Sequence, residues 1–196
     1  MKKHLKMLLS LAGLLAFSSL AHALPTTYTI DFEQYSEFTQ ITNQYSADYV
    51  TFQNALQLVA PGYDNFDYPP TSGSGVITND PNDPIELDFS GTVEGVTGYY
   101  ADPYGVIVTA YNSSGGILDI FDGAGVVGSD LEFQVTSDSA IAYITIGDVN
   151  GSPDSETVDD ISYTVTPEPE SFLLLGTGLL GLAGMMRRKL ARVRAT

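Results

Sequence analysis

Two short stretches show the pattern that runs through most of this chain. IELDF (85–89) sets Ile85, Leu87 and Phe89 on one side, with Glu86 and Asp88 on the other. LEFQVT (131–136) repeats it, with Leu131, Phe133 and Val135 against Glu132 and Gln134. A period of two is that of a strand with one face in a core and the other in water. GVIVTAYN (105–112) and AIAYITIG (140–147) are more continuously apolar and rich in β-branched and aromatic residues, as central strands are. The same criteria predict strands at 28–32, 49–52, 55–59, 95–100, 117–121 and 161–165.

Turn chemistry separates these runs. NSSGG (112–116) reads as a hairpin turn, and TNDPNDP (78–84) and VNGSPDSE (149–156) read as loops. APGYDNFDYPPTSGSG (60–75) is a long loop, and long loops in compact domains are often functional. Only 36–44 suggests a helical turn, and no internal repeat is visible. About nine or ten short strands divided by Gly, Pro and Asn predict an all-β fold, an antiparallel β-sandwich with jelly-roll as the first choice.

The two ends break the pattern. Residues 1–23 carry Lys2, Lys3 and Lys6, then an apolar run at 7–17, then Ala21-His22-Ala23. A basic start, a short apolar segment and a small-x-small site make a secretory signal, a helix that signal peptidase removes. At the other end, 171–186 is uncharged and apolar and is followed by Arg187, Arg188, Lys189, Arg192 and Arg194. As a helix it would be about 24 Å long, short of a roughly 30 Å hydrocarbon core but able to insert if the bilayer thins. The basic cluster fixes its end in the cytoplasm. The expected organisation is a signal peptide (1–23), an extracellular domain (24–166) and a C-terminal segment (167–196) with a single transmembrane helix at 171–186.

Charge and composition then narrow the chemistry. All eight Lys and Arg residues lie in the first six or last ten positions of the chain, so 24–166 contains 22 of the 24 acids and no Lys or Arg. Such a domain repels phosphates, which excludes nucleic-acid binding. Both histidines, His4 and His22, lie in the signal, and there is no cysteine. Ser-His-Asp and Cys-His catalysis and His- or Cys-ligated zinc are therefore absent from the mature protein, and the expectation is a non-enzyme. A carboxylate pair acting on glycans is the remaining enzymatic option. DVNGSPDSETVDD (148–160) places Asp148, Asn150 and Ser152 at EF-hand positions, but Pro153 stands where the loop needs Gly.

The domain opens on IDFEQY (30–35) and closes on VDDISY (158–163). First and last strands of a sandwich often lie together, which would gather Asp31, Glu33, Asp159 and Asp160. Carboxylates that close need a counter-ion, and calcium is the expected one. The alternative is two strand ends with solvated acids. The pairing of Asp-Phe-Glu early with Asp-Asp-Ile late resembles calcium-bearing jelly-rolls of the carbohydrate-binding and MAM type. That resemblance implies a structural calcium held chiefly by Glu33 and Asp159. GYDNFDY (62–68) interleaves Tyr63, Phe66 and Tyr68 with polar acceptors, a composition suited to sugar recognition, and GYYADPYG (98–105) is a second aromatic cluster. Core packing is the alternative use of such residues.

Pro167-Glu168-Pro169, the apolar run and the Arg-rich end together resemble the PEP-CTERM sorting signal in order, spacing and Gly/Leu-rich texture. The resemblance implies recognition by an exosortase near the Pro-Glu-Pro, transient residence in the inner membrane, and delivery to the surface or matrix of a Gram-negative, exopolysaccharide- and biofilm-forming cell. The domain is then expected to bind polysaccharide or another envelope component. The alternatives are a glycan-active enzyme using two carboxylates and a purely structural matrix component.

Overall fold

The computed structural model describes residues 24–63, 67–79, 83–149 and 156–166, together with Gly178 and Gly181, both helical. The expected signal peptide, the Pro-Glu-Pro and the basic cluster lie outside the described residues, as does the expected 171–186 helix apart from those two glycines. Among the described residues no helix is long and apolar enough to cross a membrane.

Residues Pro25–Thr166 form a compact unit of ten strands. These are β1 (Thr26–Ile30), β2 (Gln40–Ile41), β3 (Val50–Gln53), β4 (Ala55–Val59), β5 (Gly75–Asn79), β6 (Ile85–Asp102), β7 (Val106–Tyr111), β8 (Ile117–Asp122), β9 (Val126–Asp148) and β10 (Thr157–Thr166). All pairings are antiparallel.

Two strands are far longer than their sequence suggests. The expected strands at 85–89 and 95–100 are one element, β6, and those at 131–136 and 140–147 are one element, β9. Each bends and passes from one layer to the other. The bend in β6 shows as a break in register between Asp88 and Val93 and again before Gly95. Gly91 sits in this bend, where a Cβ would lie 2.4 Å from Val165 Cγ1. A larger residue there would push the crossing strand off β10.

Counting each half of β6 and β9 separately shows the topology. One layer runs β1, β10, second half of β6, first half of β9; the other runs first half of β6, second half of β9, β7, β8. Numbered along the chain, these eight segments read 1-8-3-6 over 2-7-4-5, the strand order of a jelly-roll. The antiparallel jelly-roll sandwich expected from the alternation is the observed fold. β3 extends one layer beside β6, and β5, β4 and β2 extend the other beside β10.

One apolar core joins the layers. Val50, Phe52, Leu87, Val108, Ile144 and Ile146 come from the β3–β8 layer, and Ile30, Val96, Phe133, Ile161, Tyr163 and Val165 from the other. Phe32 and Phe52 meet edge-on across the interior with ring centroids 5.9 Å apart. The expected helical turn at 36–44 is instead turns around the two-residue β2. A single 3-10 turn follows at Ser46–Asp48, closed by Tyr49 in the left-handed region at φ 68°.

Candidate ligand-binding face

β1 and β10 pair from Thr26↔Val165 to Ile30↔Ile161, so the domain's two ends do meet. Asp31, Glu33, Asp159 and Asp160 follow or flank that pairing. What the last three hold is the end of the long loop, residues 71–75. Glu33 Oε1 accepts the backbone N–H groups of Ser74 (2.7 Å) and Gly75 (2.6 Å), and its Oε2 accepts the Ser74 hydroxyl. Asp159 Oδ2 accepts the N–H of Ser72 at 2.9 Å, and Asp160 Oδ1 accepts the Ser72 hydroxyl at 3.0 Å. Asp31 turns back to accept the N–H of Glu33. Asp130, which the sequence did not single out, accepts the Thr71 hydroxyl at 2.8 Å.

In this arrangement loop donors engage the acids. Calcium takes six to eight oxygens pointed at one centre. Here loop N–H and hydroxyl donors take the carboxylate oxygens one by one, and among the described residues no three acids gather closely enough to hold a metal. Burial pushes the Glu33 carboxyl up, but the N–H groups of Gly75 and Ser74 outweigh it and leave it below the usual range. Asp159 behaves oppositely. It is 2% exposed, and burial raises its carboxyl to about 7 against the N–H bonds from Ser72 and Asp160, with Asp160's charge adding to the rise.

The aromatic residues of the long loop divide. Phe66 lies outside the described residues. The Tyr63 hydroxyl is enclosed and has no hydrogen-bond partner among the described residues. Burial first, then the charges of Asp159, Asp130 and Glu33, push it up to about 12. Tyr68 is half-buried.

A different surface combines aromatic rings with polar acceptors. On the β3–β8 layer, residues that alternate with the core side chains form rows across the strands. One row runs Thr51, Asp88, Tyr143, Tyr111; the next runs Gln53, Glu86, Thr145, Thr109, Ile120. Their neighbours in sequence, Phe52, Leu87, Ile144 and Ala110, are buried, so these rows face outward. At about 4.8 Å per strand the face is roughly 20 Å wide, the scale of an oligosaccharide.

Tyr111 and Tyr143 lie parallel, with ring centroids 4.6 Å apart and planes 10° apart. They come from β7 and β9 and are brought opposite each other by the pairing of those strands. Beside them, the Gln53 side-chain amide donates to Glu86 Oε1 at 2.5 Å and to Asp88 Oδ2 at 2.9 Å. One neutral amide thus spans two carboxylates. Burial and then the charge of Asp88 raise the Glu86 carboxyl above its usual range. Ile120 completes the far edge, 54% exposed. Thr109 is covered, at 7% exposure; the rest of the face can take the apolar side of a sugar ring on an outer face of the tyrosine stack and its polar substituents on Glu86, Asp88, Gln53, Thr51 and Thr145.

The tail supplies the clearest comparison with known proteins. Residues 165–189 match the PEP-CTERM protein-sorting motif. The chain thus carries this sorting motif, as its C-terminal residues suggested. No curated protein matches the chain. Similar solved structures include a family 29 carbohydrate-binding module, 10% identical, covering 72% of this chain and 89% of that one, with a TM-score of 0.41. A variant of such a module complexed with mannohexaose is 11% identical, covering 72% and 92%, with a TM-score of 0.44.

Proposed function

We propose that this is an exported, non-enzymatic surface protein whose sandwich binds polysaccharide through the outer face of the β3–β8 layer. Signal peptidase releases it from its leader, the C-terminal helix holds it in the inner membrane, and exosortase processes it for delivery to the cell surface or matrix. The observation that carries the binding reading is the parallel Tyr111–Tyr143 pair beside Glu86, Asp88 and Gln53 on one open sheet face. What supports binding over hydrolysis is that the two acids are tied to one donor. Glu86 and Asp88 project from the same side of one strand and share one donor.

The test is affinity electrophoresis of the protein through gels containing a neutral glucan, a mannan or chitosan. Retardation by at least one of them, lost in a folded Tyr111→Ala/Tyr143→Ala variant, is the expected result. Free migration through all three would refute polysaccharide binding. Sorting is tested separately by replacing Pro167, Glu168 and Pro169 with alanine. The substituted protein should accumulate in the inner membrane, and normal delivery to the surface would refute exosortase processing through this motif.

A further inference from the structure

We infer that the polysaccharide recognised by this face is cationic: a polymer of amino sugars carrying free ammonium groups. The inference rests on the proposed binding face and names the charge class of its ligand.

Three observations support it. The first is the charge of the whole domain. Residues 24–166 hold 22 carboxylates and no Lys, Arg or His, so the field over every face is negative. Polymers of uronic acids, or those bearing phosphate or sulfate, are repelled before they touch the surface. The second is the polar half of the face. Glu86 and Asp88 are adjacent outward positions of one strand, and the neutral amide of Gln53 spans both. An amide satisfies lone pairs without cancelling charge. An ammonium group at the same place does both, because its three N–H donors can reach both carboxylates and Gln53 is free to turn its carbonyl oxygen toward it. The third is the aromatic half. Asp88 stands directly opposite Tyr143, and Tyr143 opposite Tyr111. The two rings stack on each other, so a pyranose ring can lie only on an outer face of that stack; there it shares a row with Asp88, and a tyrosine face itself attracts an ammonium group. A lysine peptide would satisfy the acids but leave the open ring face without a flat partner to stack on it.

The Glu86 carboxyl agrees with this. It is raised by burial and by Asp88, a cost that a bound cation would relieve.

The experiment is isothermal titration calorimetry of the full-length protein with hexamers of glucosamine, N-acetylglucosamine and a uronic acid, and with hexalysine, at mildly acidic pH. The expected result is binding of the glucosamine hexamer at least about tenfold tighter than the acetylated one, falling about tenfold or more between low salt and physiological salt. The uronic acid hexamer should not bind. Glu86→Gln with Asp88→Asn should bring the two amino-sugar hexamers to similar affinity. The salt dependence of the unaltered protein keeps the inference testable if that variant is unstable. Equal or tighter binding of the acetylated hexamer would overturn the inference while leaving polysaccharide binding intact. Hexalysine binding as tightly as glucosamine hexamer would overturn the amino-sugar class. If none of the three polysaccharides retards the protein in the gel, the proposed function falls with it.

Discussion

Asp159 gives the most direct check on the electrostatics of this cation-free domain. It is 2% exposed, and burial raises its carboxyl from an ordinary value near 4 to about 7. A carboxyl raised in the folded state holds its proton more tightly folded than unfolded. The stability linked to it is fully present below the unfolded value, falls as pH rises from about 4 to 7, and is gone above about 7. A difference of about three units corresponds to at most about 4 kcal/mol, or roughly 10 °C in melting temperature for a domain of this size. Asp159→Asn keeps the volume and one acceptor but cannot ionise. It loses part of the contact to Ser72 or Asp160, an offset that does not depend on pH. The informative quantity is therefore the difference between the two proteins as pH changes. Melting curves by circular dichroism from about pH 4 to pH 8 should show the unaltered protein losing stability relative to Asp159→Asn by several degrees. Asp130, Glu33 and Tyr63 are common to both proteins, so their titration largely cancels. Melting temperatures that run parallel across this range would refute a buried, proton-holding Asp159.

Other perturbations test the rest of the account. Gly75→Ala should destabilise by about 2–3 kcal/mol, read by urea denaturation, because a Cβ there would lie 2.2 Å from the Phe32 carbonyl oxygen and beside Gln57. Unchanged stability would contradict the packing of the 71–75 loop on the β1 end. Sodium chloride should raise the melting temperature, since 24–166 has 22 acids and no cation to pair them; a flat response would mean that self-repulsion is unimportant. Millimolar calcium should do no more than magnesium at equal ionic strength, with or without chelator. A calcium-specific rise, lost in Glu33→Ala/Asp159→Ala, would restore the ion at the joined ends.

Much of the fold was legible because one-sided burial leaves a period of two. β4 was predicted with its observed bounds, and NSSGG makes the β7–β8 turn, where the Asn112 side chain accepts the N–H groups of Ser114 and Gly116. β5 was missed because all five of its residues are buried, so it shows no alternation, and its Gly75 and Asn79 read as loop. The continuity of β6 and β9 was hidden by Ser90-Gly91 and by Ser137-Asp138-Ser139. These look like turns but lie within strands at bends between layers. The meeting of the chain ends was foreseen, but the use of its acids was not. Glu33 and Asp159 serve donors on a loop some forty and ninety residues away in sequence, and nothing local announces such a partner. The outer face was equally hidden. Glu86 and Asp88 read as ordinary solvent positions, and Tyr111 and Tyr143 sat in runs apolar enough to suggest burial on both sides. Only the pairing of β7 with β9 makes them one surface.

The most direct test of the central claim is hydrogen–deuterium exchange of the protein with and without glucosamine hexamer. The account predicts slowed exchange in peptides covering 85–89, 106–111 and 141–147, the strands that carry Glu86, Asp88, Tyr111 and Tyr143. Protection confined to 60–75 and 156–160 would place the ligand at the joined ends of the chain and contradict it.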